Sequence, residues 1–323
     1  MTRFRPLRVL AAILIGASSL LAQAAFPDKP LKLIVPFPAG GAADVMARGM
    51  AQQWGAELGQ TIIIDNRGGA GGQTAAEATI KSPADGYTLF FATMGTLAIN
   101  PAIYPKLRYD PVRDFAPISL THATPRVLVV GPSLAVKNIA ELVALARSKP
   151  GMLSYGSAGN GSSSHLSGAL FESIAGVKML HVPYKGSAPL LTDVLAGRVD
   201  MTFDSFTVYG DHIKAGRVRA LGVTSAQRMS ALPDVPAIAA EGLAGYEVSN
   251  WLGVLAPAGT PQDVIAKLNA TLGRAMAQPA LRSQLESLGI TPLFGTPDAF
   301  GALIRTDIAR WAEIVKRAGA TSN

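Results

Sequence analysis

Two rhythms of apolar and polar positions alternate along this chain. Residues 31–35 (LKLIV) form an apolar run stopped by Pro36-Phe37-Pro38-Ala39-Gly40-Gly41, the pattern of a buried strand ending in a turn. From Ala42 the period lengthens, with Met46, Met50 and Trp54 four residues apart on one face of a predicted helix. Residues 61–64 (TIII) and 88–92 (TLFFA) repeat the strand pattern. Between them lie Asp65-Asn66-Arg67-Gly68-Gly69-Ala70-Gly71-Gly72 and a short helix through Ile80. Strands alternating with helices predict parallel sheets, whose ligands sit beyond the carboxyl ends of the strands.

The pattern restarts after Pro125, with 127–130 (VLVV) as a strand and Asn138 with Glu141 as a capping-box start for a helix carrying Ile139, Leu142 and Val143. Residues 153–155 then run into a Gly/Ser-rich loop, 156–165, followed by another helix. Each half therefore holds one strand, Gly-rich loop, helix unit, the two loops sharing composition without an alignable string. Strands at 179–182, 201–204 and 220–223 complete the second half. Beyond them, Thr260-Pro261 opens a helix with Val264, Leu268 and Leu272, and Thr296-Pro297 opens one whose apolar stripe is Phe300, Ile304, Ile308, Trp311 and Val315. Packing that stripe on the first sheet requires a chain that crosses between domains twice.

Residues 1–24 read differently. Arg3, Arg5 and Arg8 precede an apolar run over 9–21 and the small-x-small exit Ala22-Gln23-Ala24, the order of a secretory signal and too short for a membrane helix. The chain of 323 residues, 49% hydrophobic and 16% charged, is long enough for two packed domains. It has no cysteine, which excludes disulfides, thiolate zinc sites, cysteine nucleophiles and a lipidated cysteine. Of the 29 basic residues the leader takes three, so the excess over 22 acidic residues falls from +7 to +4. The basic residues are scattered, which argues against a nucleic-acid groove.

The Gly-rich loops carry the candidate chemistry. A helix N-terminus after a glycine turn presents free N–H groups and about half a positive charge, so two such loops facing across a cleft make a clamp for phosphate or carboxylate. A dinucleotide fingerprint would need glycine or alanine where Thr74 stands. A serine-hydrolase elbow is approached by Tyr155-Gly156-Ser157-Ala158-Gly159, with Tyr155 in place of glycine. His165 or His181, with Asp193, Asp200 or Asp204, would then complete a triad, and a secreted serine hydrolase using Ser157 is the alternative reading. The four histidines, His122, His165, His181 and His212, lack metal-ligand spacing, so no metal and no cofactor is expected.

Several strings together resemble the solute receptors of tripartite tricarboxylate transporters, the Bug receptors. They are Ile34-Val35-Pro36-Phe37-Pro38-Ala39-Gly40-Gly41 with Asp44 and Arg48, the glycine-rich 65–72, Ser82-Pro83-Ala84-Asp85-Gly86-Tyr87-Thr88-Leu89, Gly159-Asn160-Gly161-Ser162 with His165-Leu166, Val182-Pro183-Tyr184-Lys185-Gly186, and Ala256-Pro257-Ala258-Gly259-Thr260-Pro261. They keep the family's order over essentially the whole mature chain. The resemblance implies a non-enzymatic periplasmic receptor of α/β class, type II periplasmic binding protein-like, with two domains, a ligand cleft and two hinge crossings. Residues 25–124 with 252–323 would form domain 1 and 125–251 domain 2, after a signal peptide over 1–24. The expected partners are a small organic carboxylate or amino acid and a membrane permease of the tripartite type, the receptor itself being a monomer.

Carried over from the family, the carboxylate would be held by Phe37, Ala39, Gly40 and Gly41 on one side and by Ser157, Asn160, Gly161 and Ser162 on the other. The residues add Thr93 and Thr96, just past the third strand, where a strand-end ligand would lie. Asp204 either accepts a ligand amine or hydroxyl or caps a neighbouring helix. Asp44 in a first helical turn complements the dipole, and Lys185 faces solvent.

Overall fold

The computed structural model describes residues 26–159, 162–184 and 186–318. Expectations that fall on 1–25, Asn160, Gly161 and Lys185, the signal peptide among them, lie outside the described residues. The first half contains β1 (Leu31–Val35), α1 (Ala42–Leu58), β2 (Ile62–Asn66), α2 (Gln73–Ile80) and β3 (Thr88–Thr93). After β3 a single π-turn, Gly95–Ile99, runs into a short helix, α3 (Asn100–Ile103). A long strand, β4 (Phe115–Val130), leads to α4 (Ile139–Ser148), β5 (Ser154–Ser157), α5 (Ser163–Ala175), β6 (Leu180–Pro183), α6 (Ser187–Leu195), β7 (Met201–Ser205), α7 (Phe206–Lys214) and β8 (Arg219–Val223). The chain returns through β9 (Ser249–Pro257), α8 (Gln262–Met276), α9 (Pro279–Ser287), β10 (Thr291–Pro292) and α10 (Pro297–Ala318).

All the strands belong to one curled sheet of order β2-β1-β3-β9-β4-β7-β5-β6, with β8 and β10 also paired to β4. β1 is parallel to β2 and β3, and β5 is parallel to β6 and β7, as the alternation of strands and helices predicts. The antiparallel strands β4 and β9 join these two groups. From Phe115 to Pro125, β4 pairs with β9; from Arg126 to Val130 it pairs with β7. The strand predicted at 127–130 is thus only the end of a much longer one. Pro117 and Pro125 hid it, because proline reads as a strand breaker. In the fold Pro117 falls at a register shift and Pro125 at the residue where β4 changes partners.

The chain passes between the halves twice, through β4 and at the start of β9, where Ser249 pairs with Pro125. The C-terminal helices do return to the first half: the buried Trp54 of α1 donates from Nε1 to Thr271 Oγ1 of α8 at 2.9 Å. Helix α10 packs on the π-turn and β4 and reaches α5 of the second half. Its buried Phe300, Ile304 and Trp311 close one apolar cluster running from Phe90 and Leu97 to Phe171 and Tyr246. Among the described residues no helix is long and apolar enough to cross a membrane.

Candidate functional site

A cavity of about 870 Å³ opens between the two halves, over the crossing strands. The loops after β1 (Phe37, Ala39, Gly41), β3 (Thr93, Gly95), β5 (Ala158, Gly159, Ser162) and β7 (Ser205, Thr207) line it, and Thr124, Arg126, Asn250 and Leu252 form its floor. All four loops follow strand carboxyl ends, and three of them end at helix N-termini, α1, α5 and α7. Carboxyl ends converge here because β1 and β3 on one side and β5 and β7 on the other approach the same pair of antiparallel strands.

The first loop is held by a carboxylate. Asp44 Oδ2 accepts from Gly40 N and from Arg48 Nε, both at 2.9 Å, and Oδ1 accepts from Asn66 Nδ2 at 3.0 Å. Asn66 also donates to Phe37 O at 3.0 Å, so the end of β2 fixes both ends of the turn. The Arg48 hydrogen bond, with those from Gly40 and Asn66, lowers the Asp44 pKa to about 2 against its desolvation. Asp44 is thus the loop's clamp as well as an acid beside the helix dipole. The Gly40 amide is spent on it, while Gly41, Ala39 and Phe37 line the cavity. Asp44→Asn should lower the urea midpoint at pH 6 and weaken the midpoint's fall between pH 4 and pH 2, because the depressed pKa gives stability that is present above about 3.8 and lost toward 2. Equal midpoints for variant and parent at pH 6 would contradict the clamp.

The second loop is organised by hydroxyls. Ser162 caps α5, accepting from His165 N at 3.3 Å and donating to Gly159 O at 2.6 Å. Ser164 Oγ accepts from Ala158 N at 2.9 Å. Ser157 is fully buried behind the loop and does not line the cavity. Its Oγ lies 2.7 Å from His181 Nε2, and the His181 ring stacks on His165, 3.9 Å away, with Tyr155 4.9 Å from it. Burial, and then the neighbouring His165, push the His181 pKa down to about 4; burial lowers that of His165 as well. The three candidate triad acids are engaged elsewhere: Asp193 with Tyr184 and Arg198, Asp200 with Ser154, Asp204 with Arg126 and the Ser205 amide.

Of the remaining predicted residues, Thr93 lines the cavity but Thr96 does not. Thr96 is fully buried one residue into the π-turn, where its Oγ1 accepts from Thr93 N at 3.0 Å and donates to Thr93 O at 2.8 Å. It supports Thr93 from behind. Asp204 is also buried and lies behind the wall, 3.5 Å from Arg126 Nη1. Sequence reasoning missed Arg126 itself, which lines the cavity, and the apolar wall of Met46, Ile99, Ile103, Tyr104, Leu252 and Ile290. A visible signal for Arg126 is its place at the head of the buried run 127–130, where a charged side chain requires a purpose.

Two α/β halves joined by paired crossing strands, with helix N-termini facing a cleft at the crossing, define a type II periplasmic binding protein. Residues 45–320 match the family described as "Tripartite tricarboxylate transporter family receptor", and the chain belongs to it. It is 44% identical over 313 residues to a UPF0065 protein from the tcbD-tcbE intergenic region of Pseudomonas sp. strain P51, covering 95% of this chain and 93% of that one. Protein BugT of Bordetella pertussis is 35% identical over 306 residues, 94% of each chain. The solved structure of R. palustris Rpa4515 with adipate is 39% identical, with a TM-score of 0.77 over 92% of this chain and 100% of that one. The resemblance carried by the motifs therefore holds.

Proposed function

We propose that this receptor captures a small organic carboxylate in the cleft, closes about β4 and β9, and delivers it to a tripartite-type permease in the membrane. The observation that carries this reading is that the loops opening α1 and α5 line one cavity, so two helix N-termini can share one anion. Adipate in the R. palustris relative supports the ligand class. In this reading residues 25–124 with 252–323 move against 125–251, a signal peptide over 1–24 directs export to the periplasm, and a monomer suffices. Phe37, Ala39, Gly41, Thr93 and Ser162 are the predicted residues that line the cavity. Asn160 and Gly161 complete the loop in sequence. Closure around the anion shifts the population toward the shape that the permease recognises.

Thermal unfolding of the mature protein against di- and tricarboxylates, amino acids and aromatic acids tests the reading. A ligand at about 100 times its dissociation constant adds about 2.7 kcal/mol to stability. Gly41→Asp is the matching variant: aspartate is a better N-cap than glycine for α1, yet it places a negative charge where the ligand's would lie. Retained stability with lost binding is expected, and undiminished binding would remove the first loop from the site.

The close Ser157–His181 pair keeps a hydrolase reading open to direct test. With Asp193, Asp200 and Asp204 engaged elsewhere and Ser157 away from the cavity, a serine-directed phosphonate should leave the protein unlabelled. Labelling lost in Ser157→Ala would establish the hydrolase instead.

A further inference from the structure

The cleft's charges are unequal. Among the described residues that line it, Arg126 is the one charged side chain; no aspartate, glutamate or lysine joins it. Its side chain is 17% exposed, and its Nη2 donates to Ser163 Oγ at 2.5 Å, at the first turn of α5. A cation at a helix N-terminus faces the positive end of the dipole, an unfavourable place unless an anion lies between them.

The existing counter-charge is weak. Asp204 Oδ1 approaches Arg126 Nη1 only to 3.5 Å and is already bonded by Ser205 N at 2.7 Å. Asp204 Oδ2 and Arg126 Nε are buried with no hydrogen-bond partner. Burial lowers the Arg126 pKa despite Asp204, so the surroundings do not fully support the charge. A guanidinium left in this state gains strongly from a carboxylate, which accepts two of its donors at once.

The rest of the cleft specifies what the carboxylate is attached to. Met46, Ile99, Ile103, Tyr104, Leu252 and Ile290 form a mainly hydrocarbon wall, and the other polar groups there are neutral amides and hydroxyls. An ammonium would find no carboxylate on the cavity surface and would face Arg126.

Building on the receptor reading, we propose that Arg126 binds the ligand carboxylate directly and that the cargo is a carboxylate on a hydrocarbon or aromatic body bearing no ammonium group. Arg126 anchors the head group beside Ser162 and Ser163, and the apolar wall takes the body. Amino acids are discriminated against because burying their ammonium without a partner opposes binding.

Calorimetric titration with hexanoate, benzoate and adipate, each beside its amide, and with 6-aminohexanoate, aspartate and citrate, tests this. The wild type should bind at least one of the three acids, and bind it at least ~10-fold tighter than its amide and than either ammonium-bearing acid. Arg126→Gln should weaken that acid by ~10- to 100-fold and erase the acid–amide difference, with Arg126→Lys falling between. Because Arg126→Gln strands the buried Asp204, the double variant Arg126→Gln, Asp204→Asn is measured alongside it and should show the same loss. Undiminished affinity in folded Arg126→Gln or in the double variant would overturn the proposal. So would wild-type preference for aspartate, 6-aminohexanoate or citrate, which leaves the receptor reading standing. Failure of the wild type to bind any acid, amino acids and tricarboxylates included, would overturn both.

Discussion

Gly253→Ala should cost the fold about 3 kcal/mol, although it adds one methyl group to a strand. Gly253 lies in the middle of β9, paired with Ala92 of β3 on one side and Leu120 of β4 on the other. A Cβ built there would stand 2.3 Å from Phe300 Cζ and 2.8 Å from the carbonyl oxygen of Ser119. Phe300 is buried and meets Trp251 edge-on at 5.5 Å, so its ring has nowhere to retreat without moving α10. The carbonyl belongs to β4 and cannot rotate away without breaking the ladder. Gly295→Ala, with open space around its Cβ, should change stability by under about 1 kcal/mol. Urea unfolding of both variants decides the matter: equal midpoints would mean that β9 does not pack against α10 as described.

Mild acid should destabilise this receptor well above the pH at which most carboxylates titrate. His122 is fully buried in β4 with Nδ1 2.8 Å from Thr121 Oγ1 and Nε2 without a partner, and burial drops its pKa to about 3. His181 is lowered to about 4, and His165 is lowered too. All three are neutral in the native state, whereas in the unfolded chain they take up protons near pH 6.5. The unfolded state thus binds more protons between about pH 6.5 and 3, and stability, full above 6.5, is lost as pH falls through that window. Fully buried His122 alone accounts for a loss on the order of 3 kcal/mol between pH 7 and pH 4, to which His181 and His165 add. Urea midpoints at pH 7, 5.5 and 4 should fall steadily, and His122→Gln and His181→Gln should each flatten the slope. A flat parent profile would show that these imidazoles reach solvent.

Much of the fold was legible because the signals are local. The run 31–35 and the spacing of Met46, Met50 and Trp54 gave β1 and α1, since side-chain period follows directly from backbone geometry. The capping pair Asn138 and Glu141 gave α4: Glu141 N donates to Asn138 Oδ1 at 2.8 Å. The stripe on α10 predicted a buried helix and a doubly crossing chain. The extent of β4 was not legible, because its prolines are tolerated only where the partner strand shifts register or is exchanged.

In the candidate site, composition pointed to two loops that line the cavity but did not assign each amide and hydroxyl. Gly40 and Gly41 are adjacent glycines in one string, yet Asp44 takes the amide of the first and the cavity is lined by the second. Ser157 and Ser162 share one loop, but His181, from the neighbouring strand β6, holds Ser157 in the interior. Thr93 and Thr96 look alike in sequence, and the π-turn turns one to the cleft and closes the other against it.

By itself the sequence determined the α/β class, two of the loops that line the cavity and, through its ordered motifs, the receptor family. These depend on period, turn chemistry and residue order, all written along the chain. Only the tertiary structure decided that Arg126 stands in the cleft, that Asp204 waits behind it, and that an apolar wall faces them. Those placements bring together β1, β3, β4, β7, β9 and four loops far apart in sequence. The charge state and partner of a buried group depend on what the fold folds against it, and no local pattern carries that information.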